Sequence, residues 1–220
     1  MTVPQLDQQL FELVNHEFHS QALDVFMALL SSWPIWRPFV FIAGALALVF
    51  GGFKARALVC CALLTILVAD TGVANALKHI TNRPRPYQAM TGARVVRLQK
   101  THPRFLAVTR PAVVTLSSLP SKKRDNRSFP SGHTTNNFAL ATVLAWFYRP
   151  RGWLYFIVAT LVAWSRVYVG DHSPPEVTGG PALGAGVRVS MIRIRRFPRR
   201  MCVPRCSPSP NSPRPTLVRS

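Results

Sequence analysis

Ser128-Phe129-Pro130-Ser131-Gly132-His133, followed directly by the apolar run Thr134 to Tyr148, sets a small hydroxyl, a backbone without a side chain and an imidazole where a helix begins. The start of a helix carries unpaired N–H groups and partial positive charge, so an anion is stabilised there. Gly132 lets the backbone approach an oxyanion closely, Ser131 can cap the helix or donate to a bound oxygen, and His133 titrates near neutrality and can pass a proton. A phosphate fits this description. Taken alone the hexapeptide is equally an ordinary helix cap with a solvated histidine, and the flanking chain decides between the two.

On the C-terminal side the apolar run ends at Arg149-Pro150-Arg151-Gly152, a tight turn, and Trp153 to Val169 returns as a second apolar helix. A short connection makes the two antiparallel neighbours, so Ser165-Arg166 and Gly170-Asp171-His172 come back to the end that holds Ser131 and His133. On the N-terminal side two apolar runs, Pro38 to Phe53 and Ala55 to Leu77, are separated by Lys54, and each approaches the length of a bilayer crossing. The second run ends at Lys78, ahead of Arg83-Pro84-Arg85-Pro86, where two prolines force the chain out of helix. The span ends thereby bring Lys78, Arg83, Arg85, Ser131, His133, Arg166 and His172 to one level. Asp70 inside the second run is costly in hydrocarbon and reads as a structural hydrogen-bonding partner of Asn75. Arg83 reads as a loop cation or interfacial anchor, and Asp171 as a structural or surface group that points away from His172.

Of the 220 residues, 48% are hydrophobic and only 16% charged, and the apolar ones are concentrated in runs, which is the pattern of a multi-pass membrane protein. The formal charge of +19 lies in loops and the C-terminal tail without interleaved stacking aromatics, which argues against a nucleic-acid partner. Cys60 and Cys61 read as small hydrophobes in a helix, and Cys202 and Cys206 have no partner histidines, so neither a metal centre nor a cofactor is implied. The N-terminus lacks the basic region, short apolar core and small-residue cleavage site of a removable signal peptide.

Leu6 to Leu30 carries apolar residues at helical spacing and predicts one amphipathic helix, lying in the membrane interface or turning its polar face into a bundle. Trp33-Pro34-Ile35-Trp36-Arg37 predicts a turn with aromatics at headgroup depth, and His79 to Arg127 a polar loop holding one short helix or hairpin near its apolar patches at Val95 and Val113. Val177 to Ile194 makes a poor final span, interrupted by Gly179, Gly180, Pro181 and arginines. The expected fold is all-α, a multi-pass transmembrane bundle of about five to six helices. It occupies residues 1–194 with its motifs in 78–176, followed by a disordered Arg/Pro/Ser-rich tail over 195–220.

Three blocks stand together: Lys78-x6-Arg85-Pro86, Pro130-Ser131-Gly132-His133 and Ser165-Arg166-x5-His172. In order and internal spacing they resemble the three-part signature of the type 2 phosphatidic acid phosphatase (PAP2) superfamily, which includes lipid phosphatases, bacterial undecaprenyl-diphosphate phosphatases and vanadium haloperoxidases. The resemblance covers roughly Asp70 to Gly186. It implies that His172 is a nucleophile forming a phosphohistidine, that His133 is the general acid and later the base, and that Lys78, Arg85, Ser131, Gly132 and Arg166 hold the phosphate oxygens. Phosphoryl transfer spreads negative charge over equatorial oxygens, which fixed cations and N–H donors stabilise without a metal.

The family pattern has an aspartate four positions after the nucleophile, where this chain has Glu176, a carboxylate that fixes the imidazole if the extra methylene lets it reach. Family members also usually finish with a full apolar helix, which the run after Pro181 does not offer. The resemblance implies a membrane enzyme that removes phosphate from a phosphomonoester or diphosphate lipid. Its alternatives are an impaired protein that binds lipid headgroups and, less readily because that branch is soluble, a vanadium-dependent haloperoxidase. The positive-inside rule puts the basic loop from Lys78 to Arg127 in the cytoplasm, but the equally basic tail competes for that side. By resemblance to bacterial relatives that recycle lipid carriers, the expected location is the cytoplasmic membrane with the active site on the outer face.

Overall fold

The N-terminal amphipathic pattern is carried by two helices with a break between them. In the computed structural model of the chain, which describes residues 3–118, 128–182 and 186, α1 (Val3–Glu12) widens into a π-helical turn (Leu13–Glu17) and stops. Ser20 then caps α2 (Gln21–Ser31), its hydroxyl accepting from the Leu23 N–H at 3.2 Å. Apolar periodicity continues across the break, and only the cap marks it. The buried side of these helices mixes apolar and polar groups, Phe11, Val14, Met27 and Ala28 with Asp7, Asn15 and Asp24, while Leu10, Leu13 and Phe26 are exposed.

The segment expected as a turn at Trp33–Arg37 is instead the first turn of α3 (Trp33–Val49). Proline is tolerated at the start of a helix, where its missing N–H has no partner to lose, so Pro34 begins this helix and the bend falls at Ser32. The axes of α2 and α3 differ by 50°. Helix α4 (Phe53–Leu67) continues through a second π-helical stretch (Val68–Ala74) into α5 (Asn75–Thr81). Asn82, in the left-handed region at φ 44°, ends the run, and α6 (Pro86–Ala89) follows the Arg-Pro pairs.

The chain is mostly helical, and the short helix or hairpin expected near Val95 and Val113 is an antiparallel hairpin, β1 (Arg94–Arg97) with β2 (Val113–Leu116), paired Arg94↔Leu116 to Arg97↔Val113, which adds a small sheet to the expected all-α fold. The β-branched patches at Val95-Val96 and Val113-Val114-Thr115 are its strands, and the 3-10 turn Arg104–Thr109 lies between them. Helix α7 (Gly132–Phe147), a 3-10 turn (Arg151–Leu154) and α8 (Tyr155–Tyr168) form the expected antiparallel pair. They pack through Phe138, Ala141, Ala159 and Ala163, the three alanines letting the helices approach. Residues 174–182 form a further helix, α9. A Cβ at its Gly180 would lie 2.5 Å from Thr134 Cγ2, so glycine is what allows α9 to lie against α7. Most of the expected final span, and the tail over 195–220, fall outside the described residues.

A second core joins the N-terminal helices, the hairpin and the end of α8 through Phe11, Val14, Met27, Val96, Val167 and Tyr168. A polar network runs through it. Asn15 Nδ2 donates to the carbonyls of Arg94 (3.0 Å) and Tyr168 (2.8 Å), while its Oδ1 accepts the Arg94 N–H at 2.8 Å. The Arg94 guanidinium donates to both oxygens of Asp24 at 3.1 Å, and the Tyr168 hydroxyl donates to the same carboxylate at 2.6 Å. The network fastens β1 to α2 and α8, and the Val96 N–H adds a backbone bond to the Val169 carbonyl at 3.3 Å. By length and composition, one helical run within Phe53–Ala89 is apolar enough to cross a membrane, and the bent pair α2–α3 makes a second if counted as one span.

Asp24→Ala leaves the buried Arg94 guanidinium and the Tyr168 hydroxyl without their shared acceptor. Breaking a buried pair from one side costs about 3–5 kcal/mol, so the thermal midpoint in detergent is expected to fall by several degrees. An unchanged midpoint would show that this network does not hold the hairpin.

Candidate active site

The turn after α8 sets the geometry. Gly170 sits at φ +80°, and a Cβ there would lie 2.3 Å from the Arg94 carbonyl oxygen, so both conformation and contact demand glycine. The turn hands the Asp171 and His172 N–H groups to the Arg166 carbonyl at 3.2 and 3.1 Å. Asp171 turns away from His172, as expected, toward two guanidiniums. Arg166 Nη2 is 2.6 Å from Oδ2, Arg97 Nη1 donates to Oδ2 at 2.9 Å, and Arg97 Nη2 pairs with Oδ1. Burial alone would raise the Asp171 pKa, but the charges of Arg166 and Arg97 override it and hold the carboxyl at about 2. Arg166 Nη1 also donates to the Ser31 hydroxyl, and its buried Nε–H has no hydrogen-bond partner among the described residues. One donor of Arg166 is therefore still open to a bound anion.

His172 is 4% exposed and Glu176 is fully enclosed. One turn of α9 separates them, which brings Glu176 Oε2 within 3.1 Å of His172 Nδ1, so the longer acid does reach. The same oxygen accepts the Ser173 N–H at 3.1 Å and the Ser128 hydroxyl, while Oε1 faces Arg83 Nε at 3.0 Å. A carboxylate on Nδ1 selects the tautomer with its proton there, leaving the lone pair on Nε2. Burial lowers the His172 pKa below its ordinary value, with Arg166 reinforcing that direction and Glu176 opposing it.

His133, in the first turn of α7, lies within reach of the charges of Arg166, His172, Asp171 and Arg85. The two imidazoles thus occupy one neighbourhood. Lys78 Nζ stands 3.7 Å from where a Gly132 Cβ would be and 3.9 Å from Asp70 Oδ1. Ser131 takes the N-cap position but makes no side-chain cap. Its N–H goes to the Glu176 carbonyl at 3.1 Å and its hydroxyl accepts from Thr134 Oγ1 at 3.2 Å. The residues picked from the sequence, Lys78, Arg85, Ser131, Gly132, His133, Arg166, His172 and Glu176, come together at the ends of α5, α7 and α8 and the start of α9.

Two readings gain detail. Arg83 is a loop cation, between α5 and α6, and it ion-pairs with Glu176 and with Asp7. The Asp70 carbonyl accepts the Asn75 N–H, so the two are hydrogen-bonded through the backbone, while the Asp70 carboxylate lies 3.9 Å from Lys78 Nζ. The sequence did not single out Asp7, Ser31, Arg97 or Ser128 as supports of the site. Ser128 opens the hexapeptide that flagged the site, so proximity was its signal, whereas Asp7 and Ser31 have none.

The geometry and the sequence comparisons agree on the class. A family model described as the PAP2 superfamily matches residues 58–200, and the chain belongs to that superfamily. It is similar to the lipid A 4'-phosphatase of Bacteroides thetaiotaomicron, 27% identical over 184 residues that cover 81% of this chain and 72% of that protein. It is also similar to the putative undecaprenyl-diphosphatase YbjG of Escherichia coli, 43% identical over 58 residues, 26% of this chain and 29% of that one. The bacitracin transport permease protein BcrC of Bacillus licheniformis is 37% identical over 59 residues, covering 27% of this chain and again 29% of the relative. The chain thus matches under a third of the length of those last two. Among solved structures, the crystal structure of Aquifex aeolicus LpxE superposes with a TM-score of 0.58 at 25% identity, covering 88% of this chain and 99% of that one.

Proposed function

We propose that this protein is a membrane phosphatase that hydrolyses a lipid phosphomonoester or diphosphate through a phosphohistidine on His172. The observation that carries this is the Glu176–His172 pair: a buried carboxylate holds Nδ1 and leaves a neutral, lone-pair-bearing Nε2 beside a second imidazole and fixed cations. Nε2 attacks phosphorus, the bond from phosphorus to the leaving oxygen breaks, and His133, which takes up a proton as the phosphate's negative charge enters beside it, gives that proton to the oxygen. Water then attacks the phosphohistidine, His133 takes its proton, and the N–P bond breaks to release inorganic phosphate. Lys78, Arg85, the open donor of Arg166, the Ser131 hydroxyl and the Gly132 N–H neutralise the equatorial oxygens, which is the work a metal does in other phosphatases. The lipid phosphatases among the relatives support the substrate class.

The exposed side chains support the membrane setting. Phe39, Phe41 and Ile42 on α3 are 58–65% exposed, and Leu63, Leu64 and Leu67 on α4 and Ile157 and Leu161 on α8 are similarly uncovered. Apolar area on that scale is stable only against an apolar partner, and a multi-pass bundle in lipid supplies one. A site at the helix ends then lies at headgroup depth, where a lipid phosphate enters while its tails stay in hydrocarbon. We place it on the outer face of the cytoplasmic membrane, by analogy with the family. Lys100→Cys, in a chain whose native cysteines are replaced by alanine, is expected to react with a membrane-impermeant maleimide in intact cells; protection until lysis would reverse the orientation.

The deciding experiment is phosphate release by the purified full chain from mono- and diphosphate lipids. Turnover is expected to be blocked by vanadate, to persist in chelator, and to fall about ten-thousandfold in His172→Ala. Retained turnover in that variant would defeat the nucleophile assignment.

The pH profile has a sign. Because the folded protein lowers the His172 pKa, the nucleophilic neutral form persists below the pH at which a free histidine would protonate. The acid limb of kcat/KM is therefore expected to have its midpoint below about 6.5, with activity lost as pH falls through it. A midpoint above that value contradicts a buried neutral His172.

A further inference from the structure

Three stretches far apart in sequence meet at the Arg83 guanidinium. Its Nε lies 3.0 Å from Glu176 Oε1, the oxygen that turns away from His172. One terminal nitrogen donates to Ser173 Oγ at 3.1 Å and also pairs with Asp7 Oδ2, on α1. Asp7 is only 8% exposed, and Phe11, one turn on, is 1% exposed in the core beside Tyr168 and Val169, so α1 is seated firmly. The match to the PAP2 superfamily begins at residue 58, which puts Asp7 outside the part of the chain that defines the family.

We propose that Asp7 and Arg83 are positioning residues for His172, so that the first helix is part of the catalytic apparatus. Asp7 fixes the Arg83 guanidinium, Arg83 fixes one oxygen of Glu176, and the other oxygen fixes the imidazole. A glutamate has one more rotatable bond than the aspartate of the family pattern, and a carboxylate gripped at one oxygen alone can swing about it. The Arg83 charge, an ion pair 3.0 Å from the second oxygen rather than a hydrogen bond to it, restrains that swing electrostatically. A planar guanidinium can meet Asp7, Ser173 and Glu176 together, which a single ammonium cannot. Arg83 shares Nη2 between Asp7 and Ser173 and sets Nε beside Glu176, so these two of its nitrogens face protein groups. This inference rests on the assignment of His172 as nucleophile.

The test is steady-state phosphate release by the full chain in detergent, comparing Arg83→Gln, Arg83→Lys, Asp7→Asn, Glu176→Gln and the double variant Arg83→Gln/Glu176→Gln. Misplacing a reacting group by an ångström costs on the order of a hundredfold, so Arg83→Gln is expected to lower kcat about that much while KM changes less than about twofold. Asp7→Asn, nearly isosteric, lowers kcat in the same direction by less, and Arg83→Lys recovers part of the loss. The double variant turns over no more slowly than Glu176→Gln alone, since Arg83 acts through Glu176. A raised KM with kcat retained would make Arg83 a substrate ligand and overturn the proposal, as would losses that multiply in the double variant. Should Arg83→Gln fail to fold, Asp7→Asn and Arg83→Lys decide. Wild-type kinetics in both, with His172→Ala inactive, sinks the relay alone; turnover in His172→Ala sinks the reading beneath it.

Discussion

An ionised group enclosed by protein has to be met on every side, because each charge taken out of water costs several kcal/mol that only fixed partners return. Arg166, Asp171 and Glu176 are 6%, 1% and 0% exposed around the neutral His172, so the end of α8 and the start of α9 carry a dense group of buried charges. The architecture around them answers that requirement. The hairpin delivers Arg97 to Asp171, the chain after α5 delivers Arg83 to Glu176, and the segment before α7 delivers the Ser128 hydroxyl to the same carboxylate. Because those partners are in place before any ligand arrives, the dipoles and charges need little rearrangement when negative charge develops, which is where preorganised sites gain rate.

The division between what the sequence discloses and what it hides follows the range of the interactions. The groups at fixed spacing on one element or across one short turn were readable: His133 beside Gly132, Arg166 and His172 around one turn, Glu176 one helical turn past His172, and the α7–α8 pair with its tight connection. The hairpin was visible as two apolar patches but could not be placed, since short strands separated by a long connection have no local signal of register. Proline misled at Trp33–Arg37 because the same residue breaks a helix interior and begins a helix. The contacts of Arg83 with Asp7 and of Arg166 with Ser31 join positions 76 and 135 residues apart, a separation over which one chain's pattern carries no information.

The non-helical insert has a mechanical part to play. It touches the turn Val169–His172 at the Val96 N–H, at the Arg94 carbonyl that forbids a side chain on Gly170, and at Arg97 on Asp171. Asn15 and Asp24 in turn clamp Arg94. The loop carrying the His172 imidazole is thereby braced by a two-stranded element and by the N-terminal helices together, so α1, α2 and the hairpin, which lie wholly or largely apart from the motif residues, bear on the motifs' geometry.

The π-helical stretch Val68–Ala74 has a counterpart in heredity. A wider turn holds an additional residue compared with an α-helical one, and the facing of everything downstream depends on that count. One residue lost from the regular turns of α4 rotates everything after it by about 100° and swings Lys78 off the backbone of Gly132, whereas one lost from the wide turn is absorbed as that turn closes to α-helical width. The stretch is therefore where this helix can change length with its lysine still in register.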